Sequence, residues 1–164
     1  MDRHVLELAI TERRQLIAKL IQIEDRAVAL SMLVHADHAD YRHQEFRSLL
    51  SEFQLFYSQF KPYRLQHEQH IYPYLNQYFN LDQGPRMQLS FWRQEKEYEL
   101  IVMDIQFLME TFDTGLEPIA SNRDIMMLKP FIQVCQHMKE YLRGEEILVT
   151  PLSEVVISNR TPSF

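Results

Sequence analysis

Tyr63-Arg64-Leu65-Gln66-His67-Glu68-Gln69-His70-Ile71-Tyr72-Pro73 and Tyr141-Leu142-Arg143-Gly144-Glu145-Glu146-Ile147-Leu148-Val149-Thr150-Pro151 share one layout. Each opens on a tyrosine and sets a polar pair four and five residues later, His67-Glu68 or Glu145-Glu146. Each then runs through apolar residues to a proline ten residues after the tyrosine. At 3.6 residues per turn, the tyrosine and the first polar residue share a helix face one turn apart. Polar side chains stacked on a core-facing side need partners, so chemistry is sought where the two copies meet.

Outward from these motifs the chain reads as helices. A first helix is predicted from near Leu6 to about Ala36, with Leu16, Ile17, Leu20, Ile21, Ile23, Ala27, Leu30 and Leu33 at helical spacing. Glu24-Asp25-Arg26 interrupts that stripe, either as a solvated face with local ion pairs or with one carboxylate turned inward. The His35–His43 stretch reads as a solvated connection, with His35-x-x-His38 as a metal alternative that needs ligands from elsewhere. The second helix starts near Asp40 and carries Phe46, Leu49, Phe53, Phe56 and Phe60. Pro62 and Pro73 are expected to bend it.

Leu81-Asp82-Gln83-Gly84-Pro85 reads as a linker. The third helix takes Leu89, Trp92, Leu100, Ile101, Met103, Ile105, Phe107, Leu108 and Phe112 as core, and Asp113-Thr114-Gly115 stops it. Ser121 or Asn122 caps the last helix. Its core is Ile125, Met126, Leu128, Phe131, Val134, Cys135, Met138 and Leu142, and 158–164 reads as a flexible tail. The expected fold is therefore all-α, a single domain over 1–164 built as an up-down-up-down antiparallel four-helix bundle. In that topology both motifs face the axis at one level, joined by Glu24-Asp25 of the first helix and Glu97-Tyr98 of the third.

Composition bounds the function. The 164 residues are 46% apolar and carry a net charge of −6, which argues against a broad nucleic-acid surface. No run approaches the roughly 18 apolar residues of a membrane span, and no signal peptide opens the chain. The single Cys135 leaves no disulfide framework, so a cytoplasmic protein is expected. Cys135 lies on an apolar helix face as an inert core thiol, no nucleophilic triad stands out, and a non-enzymatic role is expected.

The motif pieces Glu68-x-x-Ile71-Tyr72-Pro73 and Glu145-Glu146-x-x-Val149-Thr150-Pro151 resemble those of the hemerythrin-like (HHE) bundles. That family holds a non-haem di-iron site in its core and binds or senses oxygen, iron or redox state. The resemblance implies metal ligands at His67, Glu68, Glu145 and Glu146. Tyr63 and Tyr141 stand where the family has the leading histidines, Tyr98 at the third-helix histidine, and Glu24 or Asp25 at the first-helix one. Non-haem iron, as a pair or a single ion, is one expectation. The other is a metal-free polar network, with Tyr63, Tyr98 and Tyr141 donating to Glu145 and a neighbouring carboxylate, and His67 or His137 completing it.

A second resemblance, in Tyr141-x-x-x-Glu145-Glu146-x-Leu148-Val149, is to anti-sigma regulators of the Rsd/AlgQ type. It implies a metal-free protein that holds a transcription or signalling component on its surface. The expected partners are thus a protein or a second copy of the chain, with no nucleic acid and no membrane.

Overall fold

The computed structural model describes residues 2–33, 35–80, 85–113 and 121–159, and every regular element among them is helical. Helix α1 spans Arg3–Ser31, α2 Ala39–Gln66, α3 Tyr72–Phe79, α4 Pro85–Asp113 and α5 Ser121–Asn159. A 3₁₀ turn at Ala36–His38 precedes α2, and a widened π turn at His67–Ile71 carries α2 into α3. No described helix is long and apolar enough to cross a membrane.

Local chemistry sets the ends. The Asp2 carboxylate accepts the His4 N–H at 3.3 Å and caps α1. That helix stops at Ser31, short of the expected Ala36, where the Met32 N–H turns back to the Ala29 carbonyl and the Leu33 N–H to the Leu30 carbonyl. Just beyond the stop, the buried Arg42 donates from Nη1 to the Leu33 carbonyl at 2.5 Å, supplying a partner that the helix no longer provides. Pro85 opens α4, where a missing N–H costs nothing. The linker at 81–84, the stop at Gly115 and the side chains of Ser121 and Asn122 lie outside the described residues. So does most of the expected tail, of which 158–159 continue α5.

Cross-helix pairs give the directions. Arg13 meets Tyr63, Lys19 meets Gln59 and Arg26 meets Glu52, so α1 and α2 run oppositely. Arg13 with Thr150 and Glu24 with Lys139 set α1 against α5 in the same sense. His137 with Asp104, together with Gln94 against Gly144, does so for α4 and α5. Helices α2 and α5 run parallel, with Phe53 edge-on to Phe131, Phe60 edge-on to Tyr141, and Tyr63 bonded to Glu145.

The apolar interior falls into two clusters. The larger runs from Leu16 and Leu20 through Phe53, Phe56, Phe60 and Ile105 to Phe131, Met138 and Leu142. The smaller joins Leu6, Ala9, Ile71, Leu75, Phe91, Val149 and Val156. Between them in sequence, on three helices at once, fall Arg13, His67 and Glu145, each fully buried. A polar layer separates two apolar cores.

Helix α4 departs from the expected pattern. Phe91, Ile101, Ile105 and Leu108 are buried, but Trp92, Leu100, Met103 and Phe107 are more than half exposed. Those four were expected in the core. They belong to a second apolar stripe flanking the first, and α4 turns only one stripe inward. On α5, Met126 is likewise exposed, although Leu128, Phe131, Val134, Cys135, Met138 and Leu142 are buried as expected.

Candidate functional site: a buried carboxylate and guanidinium

Glu145 is the centre of the polar layer. Tyr63 donates to its Oε2 at 2.7 Å and Tyr141 to its Oε1 at 2.9 Å, and the Tyr72 hydroxyl also donates to Oε1. Tyr141 precedes Glu145 by one turn, so that bond follows from helical spacing alone. Tyr63 arrives from the parallel helix α2. Tyr72 arrives because of the widened turn: its N–H bonds to the carbonyl of His67, five residues back. A five-residue turn returns Tyr72 to the side of the helix that carries His67 and Tyr63. Pro73 lacks an N–H and would crowd the carbonyl four residues back in a regular helix, and the widened turn relieves that crowding. The second motif shows no such turn, and α5 stays helical through Pro151.

Arg13 supplies the balancing charge. Its Nε donates to the Tyr63 hydroxyl at 2.8 Å and stands 3.8 Å from Glu145 Oε2. Nη1 donates to Thr150 Oγ1 at 2.5 Å and to Glu146 Oε2 at 3.1 Å, and Nη2 lies 3.1 Å from His67 Nε2. His67 Nδ1 is 2.9 Å from the Tyr63 carbonyl. That carbonyl only accepts, so the network assigns the proton to Nδ1 and leaves Nε2 to accept from Arg13. The Thr150 hydroxyl donates to Glu146 Oε2 at 2.9 Å, and Glu146 also accepts from the exposed Arg14. One guanidinium thus ties α1 to both motifs.

Protonation follows from these surroundings. Burial, and then the Glu145 charge, push the hydroxyls of Tyr63, Tyr72 and Tyr141 well above the usual tyrosine range, so they act as neutral donors. Burial alone pushes Glu145 up, but the electrostatic influence of the neighbouring His67 ring, the Arg13 charge and the hydroxyls of Tyr72 and Tyr63 outweigh it. The carboxyl ends below its ordinary value. Burial, opposed by Glu145, brings His67 below its ordinary value and favours the neutral ring. Arg13 stays charged: its burial is more than offset by Tyr63, Glu145 and Glu146.

The residues expected as ligands divide. Tyr63, Tyr141, His67 and Glu145 converge, and Glu146 joins through Arg13. Glu68 is half exposed and pairs with the buried Arg64 at 3.2 Å. Tyr98 donates nothing to Glu145. Its ring lies 4.5 Å under the Arg64 guanidinium and packs on Phe60 and Tyr141. Glu24 is corrected in level. It pairs with Lys139, and the α1 residue beside Glu145 is Arg13, eleven residues earlier and about 16 Å along the helix. His137, expected to share the seam with Tyr141 and Glu145, is exposed and paired with Asp104. His35 and His38 are exposed, while His43 pairs with Asp124. Cys135 is buried and its thiol is pushed up to about 12, chiefly by burial, which disfavours the thiolate.

Reasoning from sequence missed Arg13, Arg64, Tyr72 and Thr150. Arg13 was findable: Leu6, Ala9, Arg13, Leu16 and Leu20 keep helical spacing, which puts an arginine in the middle of a core stripe. Arg64 follows Phe60 and Tyr63 in the same way.

This donor set does not fit the metal centre of the hemerythrin-like family. Both Glu145 oxygens already accept hydroxyl protons, the three tyrosines are held neutral, and the His67 lone pair faces a guanidinium. A cation brought among them would meet Arg13 at close range. Among the described residues, no three His, Cys, Asp or Glu side chains are grouped to hold a metal ion.

Comparison of the chain with protein families, curated proteins and solved structures gives no match in any of the three.

Proposed function

We propose that the chain is an up-down-up-down, hemerythrin-like four-helix bundle in which the Arg13 guanidinium stands where that family holds its metal. In this reading it is a non-enzymatic, cytoplasmic regulator that works by binding another protein. The observation that carries it is the salt-bridged, fully buried Arg13–Glu145 centre, in which both Glu145 oxygens already accept hydroxyl protons. The antiparallel pairing of α1 with α2 and α5 supports the topology, and the more than half-exposed Leu100, Met103, Phe107 and Ile147 support a surface role. The polar layer then fixes helix register, since its bonds between helices, from Arg13 to Tyr63 and Thr150 and from Tyr63 to Glu145, are lost if one helix slides by a turn.

Metal analysis tests this reading. Protein purified aerobically, and again after incubation with ferrous iron or zinc and desalting, is expected to retain less than about a tenth of an equivalent of either metal. Its visible spectrum is expected to be featureless. Stoichiometric iron with a charge-transfer band contradicts the reading and restores the metal-binding alternative.

A further inference from the structure

We propose that the groove between α4 and α5 docks a basic amphipathic helix of a partner protein. The inference rests on the protein-binding reading above and names its surface. The groove has a volume of ≈ 680 Å³, with Ile101, Tyr141 and Leu148 among its apolar lining. Leu100 and Ile147, on opposite sides, are 62% and 79% exposed. Phe107, seven residues past Leu100 and 65% exposed, continues the apolar line of α4 by two turns. A run of large apolar side chains left in water along a concave surface marks an interaction site.

The floor is held open by a specific pairing. A Cβ on Gly144 would lie 2.4 Å from Gln94 Nε2, so the absence of a side chain on α5 admits Gln94 across the helix interface. Gln94 is 8% exposed, and its Oε1 accepts no hydrogen bond among the described residues.

Charge decides the occupant. Leaving histidine aside, the lining carries Arg93 against Glu97, Asp104 and Glu140, one positive and three negative groups, net −2. The chain as a whole carries −6. A second copy meeting this face with its own would set −2 against −2, whereas a basic helix neutralises it. From Arg93 to Asp104 the α4 side runs about 16 Å, or three helical turns. A partner helix of that length would lay apolar residues at i, i+3 or i+4, and i+7 between Leu100 and Ile147, with Lys or Arg over Glu97 and Glu140.

Selection from a phage-displayed library of 16-residue helical peptides on the immobilised full chain tests this. Enriched peptides are expected to carry the apolar spacing with Lys or Arg flanks. By fluorescence anisotropy, Leu100→Glu and Ile147→Glu should each weaken the best peptide at least tenfold, as should Glu140→Lys. Leu55→Glu, at an exposed position on α2, should change binding less than twofold, and circular dichroism checks that each variant is folded. Enriched peptides that are acidic, or that bind the groove variants unchanged while Leu55→Glu weakens them, overturn the groove and leave the protein-binding reading standing. No enrichment on any face overturns both. Sedimentation showing a dimer that Ile147→Glu makes monomeric overturns the partner helix in favour of a second copy.

Discussion

Tyr63 shows how much one hydroxyl does here. It accepts from Arg13 and donates to Glu145, so it connects a buried cation to a buried anion across a nitrogen–oxygen separation of 3.8 Å. Tyr63→Phe leaves one buried donor and one buried acceptor short of a partner and is expected to cost about 1–3 kcal/mol in urea unfolding. A cost below about 0.5 kcal/mol would mean that Arg13 and Glu145 close the gap unaided. Arg13→Lys offers no remedy for losing Arg13, because one ammonium cannot reproduce a planar fork that serves Tyr63, His67, Thr150 and Glu146 together. Most of this site was legible as positions. Tyr63, Tyr141, His67 and Glu145 share faces by simple helical spacing. Its sign was not: the same spacing placed Arg13 in the core stripe, but a lone arginine there reads as a surface residue until its anions are known.

At the scale of elements, the two motifs look alike in sequence and fold differently. The turn over His67–Ile71 is wide and the matching stretch of α5 is not. Equal spacing to a proline does not dictate equal geometry, because the helix can absorb a missing N–H by widening or by losing a single bond. The wide turn has a measurable consequence. In a regular helix Tyr72 would point about 140° away from His67, since each residue advances about 100°. Tyr72→Phe is therefore expected to cost about 1–3 kcal/mol, comparable with Tyr141→Phe, because both hydroxyls serve Glu145 Oε1. The double variant should cost more than the sum, since either hydroxyl alone still serves the shared oxygen and only the double variant leaves it with neither. A Tyr72→Phe change that leaves the unfolding midpoint unaltered contradicts the geometry of the turn. Helix α4 gives the complementary lesson: hydrophobicity identified its residues as apolar, and only packing decided which stripe was buried.

Across the whole molecule, the all-helical class was legible from the scarcity of glycine and the long apolar periodicities. The division of the interior into two cores was not, because it depends on three polar residues from separate helices meeting at one level. That layer makes stability respond to acid. His67 is held below its ordinary 6.5, so the stability of its neutral form is complete above about pH 6.5 and is lost as pH falls through the window beneath. Glu145, held below its ordinary 4.5, adds a second loss in the same direction below about pH 4.5. Urea midpoints should fall from pH 7 to pH 5, and His67→Gln should flatten that interval while keeping the loss at lower pH. A wild-type midpoint constant from pH 7 to pH 5 contradicts the buried neutral imidazole.

Arg13 is the cation on which the buried Glu145 depends, and a double-mutant cycle measures that dependence in the intact chain. Arg13→Met alone strands a charge in the layer and is expected to cost about 3–5 kcal/mol in urea unfolding, as is Glu145→Leu. The combined variant replaces the pair by apolar side chains and should cost less than the sum of the two by at least about 1–3 kcal/mol. Costs that add to within about 0.5 kcal/mol would contradict it, showing that the two groups, though buried together, do not hold one another in place.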